Sequence, residues 1–180
     1  MNDFELNAEL TISRLGQRGE GLARHGGDMI AVPYALPGEN VRVEIDRDRA
    51  KLVDVLTPSA DRVPSFCKYF TICGGCAVQT LAWPSYAEWK RGLVVEGLSR
   101  AKIETEILPL VDAHGAGRRR ATFHSRVHDD GVGRKRLDLG YMQARAHSIV
   151  NIDHCPILDP GLDGALVAAR DAARVLIPLE

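Results

Sequence analysis

The sequence predicts a mainly β chain whose second part is α/β. Three observations carry this: alternating apolar residues between turn signals in residues 1–58, a cysteine-rich stretch without periodicity, and interleaved helix and strand patterns beyond it. Leu10 and Ile12, then Val41, Val43 and Ile45, occupy alternate positions, the period of a strand with one buried face, and Val53 and Val55 repeat it. Between these runs stand Gly19-Glu20-Gly21, Gly26-Gly27-Asp28, Pro37-Gly38-Glu39 and Asp46-Arg47-Asp48-Arg49, all turn signals. Short strands at this spacing predict a small closed barrel of the OB type, five-stranded, over 1–58. Gly16-x-x-Gly19-x-Gly21 lacks the spacing and the Lys-Ser/Thr of a phosphate loop and has strand-like flanks, so a hairpin turn is expected there.

Residues 59–82 hold three of the four cysteines and read as a loop. Residues 83–113 read as a helix and linker, with Pro84 at a first helical position and an end near Arg100. Tyr86, Trp89, Leu93 and Val94 share one helical face, expected to pack in a core rather than stack on bases. From 114 to 180 an α/β part begins. Ala121, Phe123, Ser125 and Val127 alternate with Thr122, His124 and Arg126, and Leu137, Leu139 and Tyr141 alternate beyond Asp129-Asp130-Gly131-Val132-Gly133. This is a hairpin with one basic face, and Ile149, Val150 and Ile152 suggest a further strand. Asp159-Pro160 is expected to cap and open a last helix striped by Leu162, Leu166, Ala169, Ala173 and Leu176.

With 45% hydrophobic and 26% charged residues, the chain has the composition of a globular protein. No apolar run reaches the roughly 20 residues of a membrane span, and Met1-Asn2-Asp3-Phe4-Glu5 lacks the basic and apolar regions of a secretory signal. A cytoplasmic protein is therefore expected, with no membrane partner. The net charge of −1 gives no global argument for nucleic acid. Locally, between His114 and His147, Arg118, Arg119, Arg120, Arg126, Arg134, Lys135, Arg136 and Arg145 face only Asp129, Asp130 and Asp138, a balance of +5. Such a surface binds phosphate even on a neutral chain; the alternative is a solvated hairpin.

The cysteines form the sharpest pattern: Cys67-x5-Cys73-Gly74-Gly75-Cys76, with Cys155-Pro156 following 79 positions later. In a reducing compartment a disulfide framework is not expected. Three thiolates within ten residues, in a loop whose glycines fold tightly and leave N–H groups free for sulfide, suit a [4Fe–4S] cluster completed by a distant fourth cysteine. A zinc site needs the same number of ligands but usually shows two close pairs, where only one exists here. Cluster, zinc and no metal all stay open on spacing alone.

These cysteines, followed by Arg118-Arg119-Arg120-Ala121, Gly140-Tyr141 and the run Ile149-Val150-Asn151-Ile152-Asp153-His154-Cys155-Pro156-Ile157, fall in the order found in bacterial 23S rRNA uracil-C5 methyltransferases, which the chain resembles. The barrel before them is similar to the TRAM domain that begins many of those enzymes. The resemblance implies that Cys67, Cys73, Cys76 and Cys155 hold a [4Fe–4S] cluster and that a central α/β domain begins around the cluster loop. It implies S-adenosylmethionine as cofactor of the whole enzyme, bound with the catalytic cysteine in a Rossmann-like domain. It also implies that the helix around Trp89 packs on that domain. Neither a Gly-rich cofactor motif nor a spare cysteine is present, so the chain is expected to be a fragment or truncated product, inactive alone, with an incomplete α/β part.

The leading expectation is the RNA-recognising, cluster-carrying N-terminal part of such a methyltransferase. It would bind RNA, rRNA before tRNA, as a monomer, with no DNA. Candidate phosphate contacts are Arg42, Arg47, Arg49 and Lys51 on the barrel, and Arg118, Arg119, Arg120, Arg126, Arg134, Lys135 and Arg136 beyond it. Residues 1–57 hold seven Lys/Arg against ten Asp/Glu, so the second group carries more weight. If Arg118 opens a strand, Arg118 and Arg120 share one face. The alternatives are a small iron–sulfur redox or sensor protein and a zinc-containing RNA-binding adaptor.

Overall fold

A computed structural model describes residues 5–46, 49–112, 117–129, 131–132 and 135–176. They are mostly β with two α-helices, and form two compact units. Residues 1–65 and 77–110 make the first; residues 66–76 and 111–180 make the second.

The first unit contains β1 (Glu5–Thr11), β2 (Arg14–Leu15), β3 (Gly21–His25), β4 (Asp28–Val32), β5 (Asn40–Asp46) and β6 (Arg49–Thr57). They form one sheet in the order β1-β5-β6-β4-β3-β2, antiparallel except for the single parallel pair Ala31↔Arg49 between β4 and β6. The described residues give six strands where a five-stranded barrel was expected, in one ladder whose hydrogen-bonded pairs do not close on themselves. Its end strands β1 and β2 are separated only by Ile12 and Ser13, where the Ile12 N–H donates to Glu39 O and the Ser13 N–H to Leu22 O. The chain breaks its strand there because those two N–H groups turn to different neighbours.

The alternation read from sequence is the core: Leu10, Ile12, Val41, Val43 and Ile45 are buried, with Ala23, Ile30, Val32, Ala35 and Ala50 around them. Val53 is a correction, being 47% exposed, while Leu52 and Val55 pack on the core. The β5–β6 register shifts between Arg42↔Asp54 and Val43↔Leu52, so Val53 is an extra bulged residue and strand parity reverses across it. Gly26 and Gly27, with φ of 57° and 94°, form the two-residue turn joining β3 to β4, a geometry that excludes most side chains. The Gly16–Gly21 segment is the expected tight turn, with the Gly16 N–H on Glu20 O and the Gly19 N–H on Gly16 O.

Helix α1 spans Trp83–Arg100 with Pro84 in its first turn, as expected, and buries no residue completely. Tyr86, Trp89 and Leu93 are half-buried, whereas Val94 is 52% exposed. Trp83 stacks on Tyr86 at 5.6 Å and Tyr86 meets Trp89 edge-on at 5.9 Å. No described helix is long and apolar enough to cross a membrane.

In the second unit β7 (His124–Asp129), β8 (Lys135–Met142) and β9 (Ile149–Asn151) form an antiparallel sheet in chain order. Helix α2 (Ala165–Leu176) packs on β8. Leu139, Ile152, Leu166 and Ala173 are its buried centre, with Phe123, Leu137, Tyr141, Val150, Cys155 and Ala169 against them. Gly140 leaves no room for a side chain against β9: a Cβ there would lie 2.0 Å from Val150 O. Asp159 caps only a 3-10 turn, Pro160–Leu162, by accepting from the Gly161 N–H at 2.8 Å, and α2 starts separately. The apolar stripe ends early too, since Leu176 is 79% exposed.

Candidate metal centre

The segment carrying Cys67, Cys73 and Cys76 is folded by its own backbone. The Phe70 N–H donates to Cys67 O and the Ile72 and Cys73 N–H groups to Tyr69 O, which coils residues 67–73 tightly. The same segment is clipped to the end of β8 by Gly74 N–H to Met142 O at 2.9 Å and Ala144 N–H to Ile72 O at 2.9 Å. Gly74 permits that approach, because a Cβ would come within 3.0 Å of the Met142 carbonyl.

Cys155 arrives from the other direction, after β9. Lys68 Nζ pairs with Asp153 Oδ2 at 2.6 Å and the Tyr69 hydroxyl donates to Asp153 Oδ1 at 3.0 Å. These contacts fasten the residues next to Cys67 to the residue two before Cys155. The backbone around Arg118 holds the far side, with its N–H on Ile157 O and its carbonyl accepting from Asp159 N–H.

All four cysteines are free thiols and half-buried. Burial pushes the Cys73 thiol up, and neighbouring Cys155 and Cys67 push it further, against the Gly75 N–H and the Arg118 guanidinium. The Gly75 N–H lies 3.4 Å from Cys73 Sγ. Tyr141 is pushed up to about 12, first by burial and then by Cys155 and Cys73. Three sulfurs therefore act electrostatically on one neighbourhood, which Arg118 makes less negative. Among the described residues no group of three or more His, Cys, Asp or Glu side chains stands close enough to grip a metal ion. A mononuclear zinc site makes the strictest demand of this kind, four sulfurs each about 2.3 Å from one point. A cluster spreads its thiolates over separate irons, and a soft, all-sulfur donor set with N–H groups among it suits that group.

The basic candidates divide. Arg118 does not open a strand: β7 begins only at His124, and Arg118 forms an isolated bridge with Leu158. Its Nη2 donates to Gly75 O at 3.2 Å, inside the cysteine loop. The expectation that Arg118 and Arg120 share one strand face is thereby corrected. Arg119, Arg120, Arg126 and Lys135 are exposed. Arg136 bonds at 2.9 Å to Asp138, which is buried and also faces His128 Nδ1 at 3.4 Å. On the N-terminal unit Arg42 lies between Glu9 at 3.6 Å and Asp54 at 3.9 Å, and Lys51 pairs with Glu44 at 3.1 Å. Arg47, Arg134 and the side chain of Arg49 lie outside the described residues.

Sequence reading missed Lys68, Tyr69 and Asp153 as fasteners of the site, and Tyr141 as a polar neighbour of it. Asp153 stands in the run Ile149–Ile157 that holds Cys155, but nothing local pairs it with Lys68, 85 positions earlier. Tyr141 carried strand parity with Leu137 and Leu139 and a place in the Gly140-Tyr141 pair, neither of which signals a polar role.

A TRAM domain model matches residues 8–53, the region of β1 to β6. A Caulobacter vibrioides protein named as an RNA methyltransferase is 42% identical over 92% of this chain and 40% of its own length. A Brucella suis RNA methyltransferase is 37% identical over 94% of the chain and 40% of its own length. The 23S rRNA (uracil(1939)-C(5))-methyltransferase RlmD of Halomonas elongata is 36% identical over 93% of the chain and 36% of its own length. The chain thus spans about 40% of the length of the curated relatives it matches. It carries a TRAM domain match at its start and is similar along nearly all of its residues to the N-terminal portion of proteins named as RNA methyltransferases.

Proposed function

We propose that this chain is the RNA-recognising, [4Fe–4S]-carrying N-terminal part of an S-adenosylmethionine-dependent RNA uracil-C5 methyltransferase, with rRNA as the substrate class. The observation that carries the metal reading is the pairing of Lys68 and Tyr69 with Asp153, which fastens the Cys67–Cys76 loop to the segment of Cys155. Cys67, Cys73, Cys76 and Cys155 would hold the cluster, which would cross-link the loop to the segment after β9. The chain's own residues do the rest: Gly75 offers an N–H to Cys73, Arg118 braces the Gly75 carbonyl, and Tyr69 and Lys68 hold Asp153.

RNA contact is assigned to Arg119, Arg120, Arg126 and Lys135, which are exposed and have the basic balance around them. S-adenosylmethionine and the nucleophile that attacks the uracil are assigned to the remaining length of the relatives, since all four cysteines here serve the metal site. Anaerobic isolation followed by iron, sulfide and zinc analysis tests the metal reading. Close to four irons and four sulfides per chain are expected, lost in Cys73→Ser or Cys155→Ser. Stoichiometric zinc without iron after anaerobic reconstitution defeats it.

A further inference from the structure

Tyr141 lies on β8 with the parity of Leu137 and Leu139, and its side chain belongs to the same core as Cys155. Its ring is tilted against Phe123 with centroids 5.4 Å apart. A Cβ placed on Gly75 would stand 3.9 Å from its Cδ2, so the ring lies beside the Cys73–Cys76 turn. Phe123 and the Cys73–Cys76 turn thus flank the ring. That hydroxyl is buried and has no hydrogen-bond partner of standard geometry among the described residues. A phenylalanine would fill the same space without burying an unmatched donor, so the oxygen calls for an acceptor. Cys155 packs in the same side-chain cluster as Tyr141, which makes its sulfur the candidate acceptor. A neutral thiol is a weak acceptor, whereas a thiolate bonded to iron carries charge and accepts readily.

We propose that the Tyr141 hydroxyl is a positioning and tuning group for the metal centre, donating a hydrogen bond to the Cys155 sulfur once that sulfur is a ligand. The inference rests on the cluster reading above. Reduction of a [4Fe–4S] centre by dithionite adds one electron and moves no proton in this scheme; the added negative charge spreads over iron and sulfur. An O–H donor on one of those sulfurs stabilises the reduced form more than the oxidised form and raises the potential.

The test compares the wild-type chain, Tyr141→Phe, and a chain with 3,5-difluorotyrosine incorporated at position 141, all reconstituted anaerobically. Iron and sulfide are assayed first, and each protein is then titrated with dithionite. Wild type and Tyr141→Phe should hold the same iron and sulfide. Reduction of Tyr141→Phe should be about tenfold less favourable, 59 mV lower for a one-electron couple. The fluorinated phenol, a stronger donor, should shift the potential upward. Should Tyr141→Phe fail to retain its cluster, the fluorinated chain decides alone: an upward shift supports the donor role and none overturns it. Equal potentials at equal iron content overturn the tuning role and leave the cluster reading standing. Absence of iron and sulfide from the wild-type chain removes both.

Discussion

The Glu39→Gln exchange tests a buried charge that holds the N-terminal unit together. Glu39 is completely buried. Its carboxylate accepts from the Leu36 N–H at 2.8 Å, the Ser59 N–H at 3.2 Å, and both Nε and Nη2 of Arg62, the latter at 2.8 Å. Arg62 also donates to Tyr34 O at 2.8 Å. Glutamine offers one acceptor oxygen and turns the other position into a donor, so contacts made by that oxygen become donor against donor. Breaking a buried pair on one side costs about 3–5 kcal/mol. The Arg62 side chain keeps 21% of its surface in water, which places the expected loss near the lower end, about 3 kcal/mol. Urea unfolding at pH 7, followed by tryptophan fluorescence, measures it. Acid adds a second arm. Burial alone would raise the Glu39 carboxyl, but Arg62 and the Leu36 and Ser59 N–H groups outweigh it and hold it below the usual carboxylate range. The unfolded chain titrates near about 4.3, so this pair contributes stability above that pH that is lost as pH falls through the lower folded value. Glu39→Gln should therefore flatten the wild-type decline below about pH 4.3. A loss under about 1 kcal/mol, together with an unchanged acid limb, refutes the reasoning.

Other outcomes follow from single contacts. Gly140→Ala should destabilise the second unit by about 3 kcal/mol or more, read by thermal unfolding, because the new Cβ meets the backbone oxygen of Val150 at 2.0 Å. Arg118→Ala should lower cluster retention during anaerobic gel filtration more than it weakens RNA binding, since its guanidinium is committed to Gly75 O. Replacing Arg119 and Arg120 together with Ala should flatten the log–log salt dependence of RNA binding by about 1.4, about 0.7 for each phosphate no longer neutralised. The Arg42→Ala and Lys51→Ala exchanges, each removing a cation already facing acids, should change that slope little in the same filter-binding assay.

Much of the N-terminal unit was legible because strand alternation is a local signal. Leu10, Ile12, Val41, Val43 and Ile45 announced their face by parity, and the Gly26-Gly27 turn announced its geometry. The bulge at Val53 was not legible, since it depends on which residue of β5 stands opposite, and parity carries no information about an inserted residue. Glu39 looked like part of a Pro-Gly-Glu turn. Its burial depends on Arg62, 23 positions later, and no local pattern couples the two. The four cysteines stood out by their spacing, but Tyr141 could not be told from a core aromatic. The Arg118–Arg120 triplet read as strand because basic and apolar residues alternate just beyond it; the backbone of Arg118 instead pairs with Ile157 and Asp159.

The order in which the two units take up the chain bears on how the protein is made. Residues 66–76 belong to the second unit, yet the ribosome returns to the first unit for residues 77–110 before supplying the rest. Cys155 emerges 79 positions after Cys76. At about 5–20 residues per second, the first three cysteines wait on the order of 4–16 seconds for their fourth companion. On the proposed metal reading, a nascent chain stalled before Cys155 holds three thiols and no finished site. A single protease cut within residues 77–110 would leave each unit assembled from two separate polypeptides, so the halves of this molecule cannot be parted by one break in its backbone.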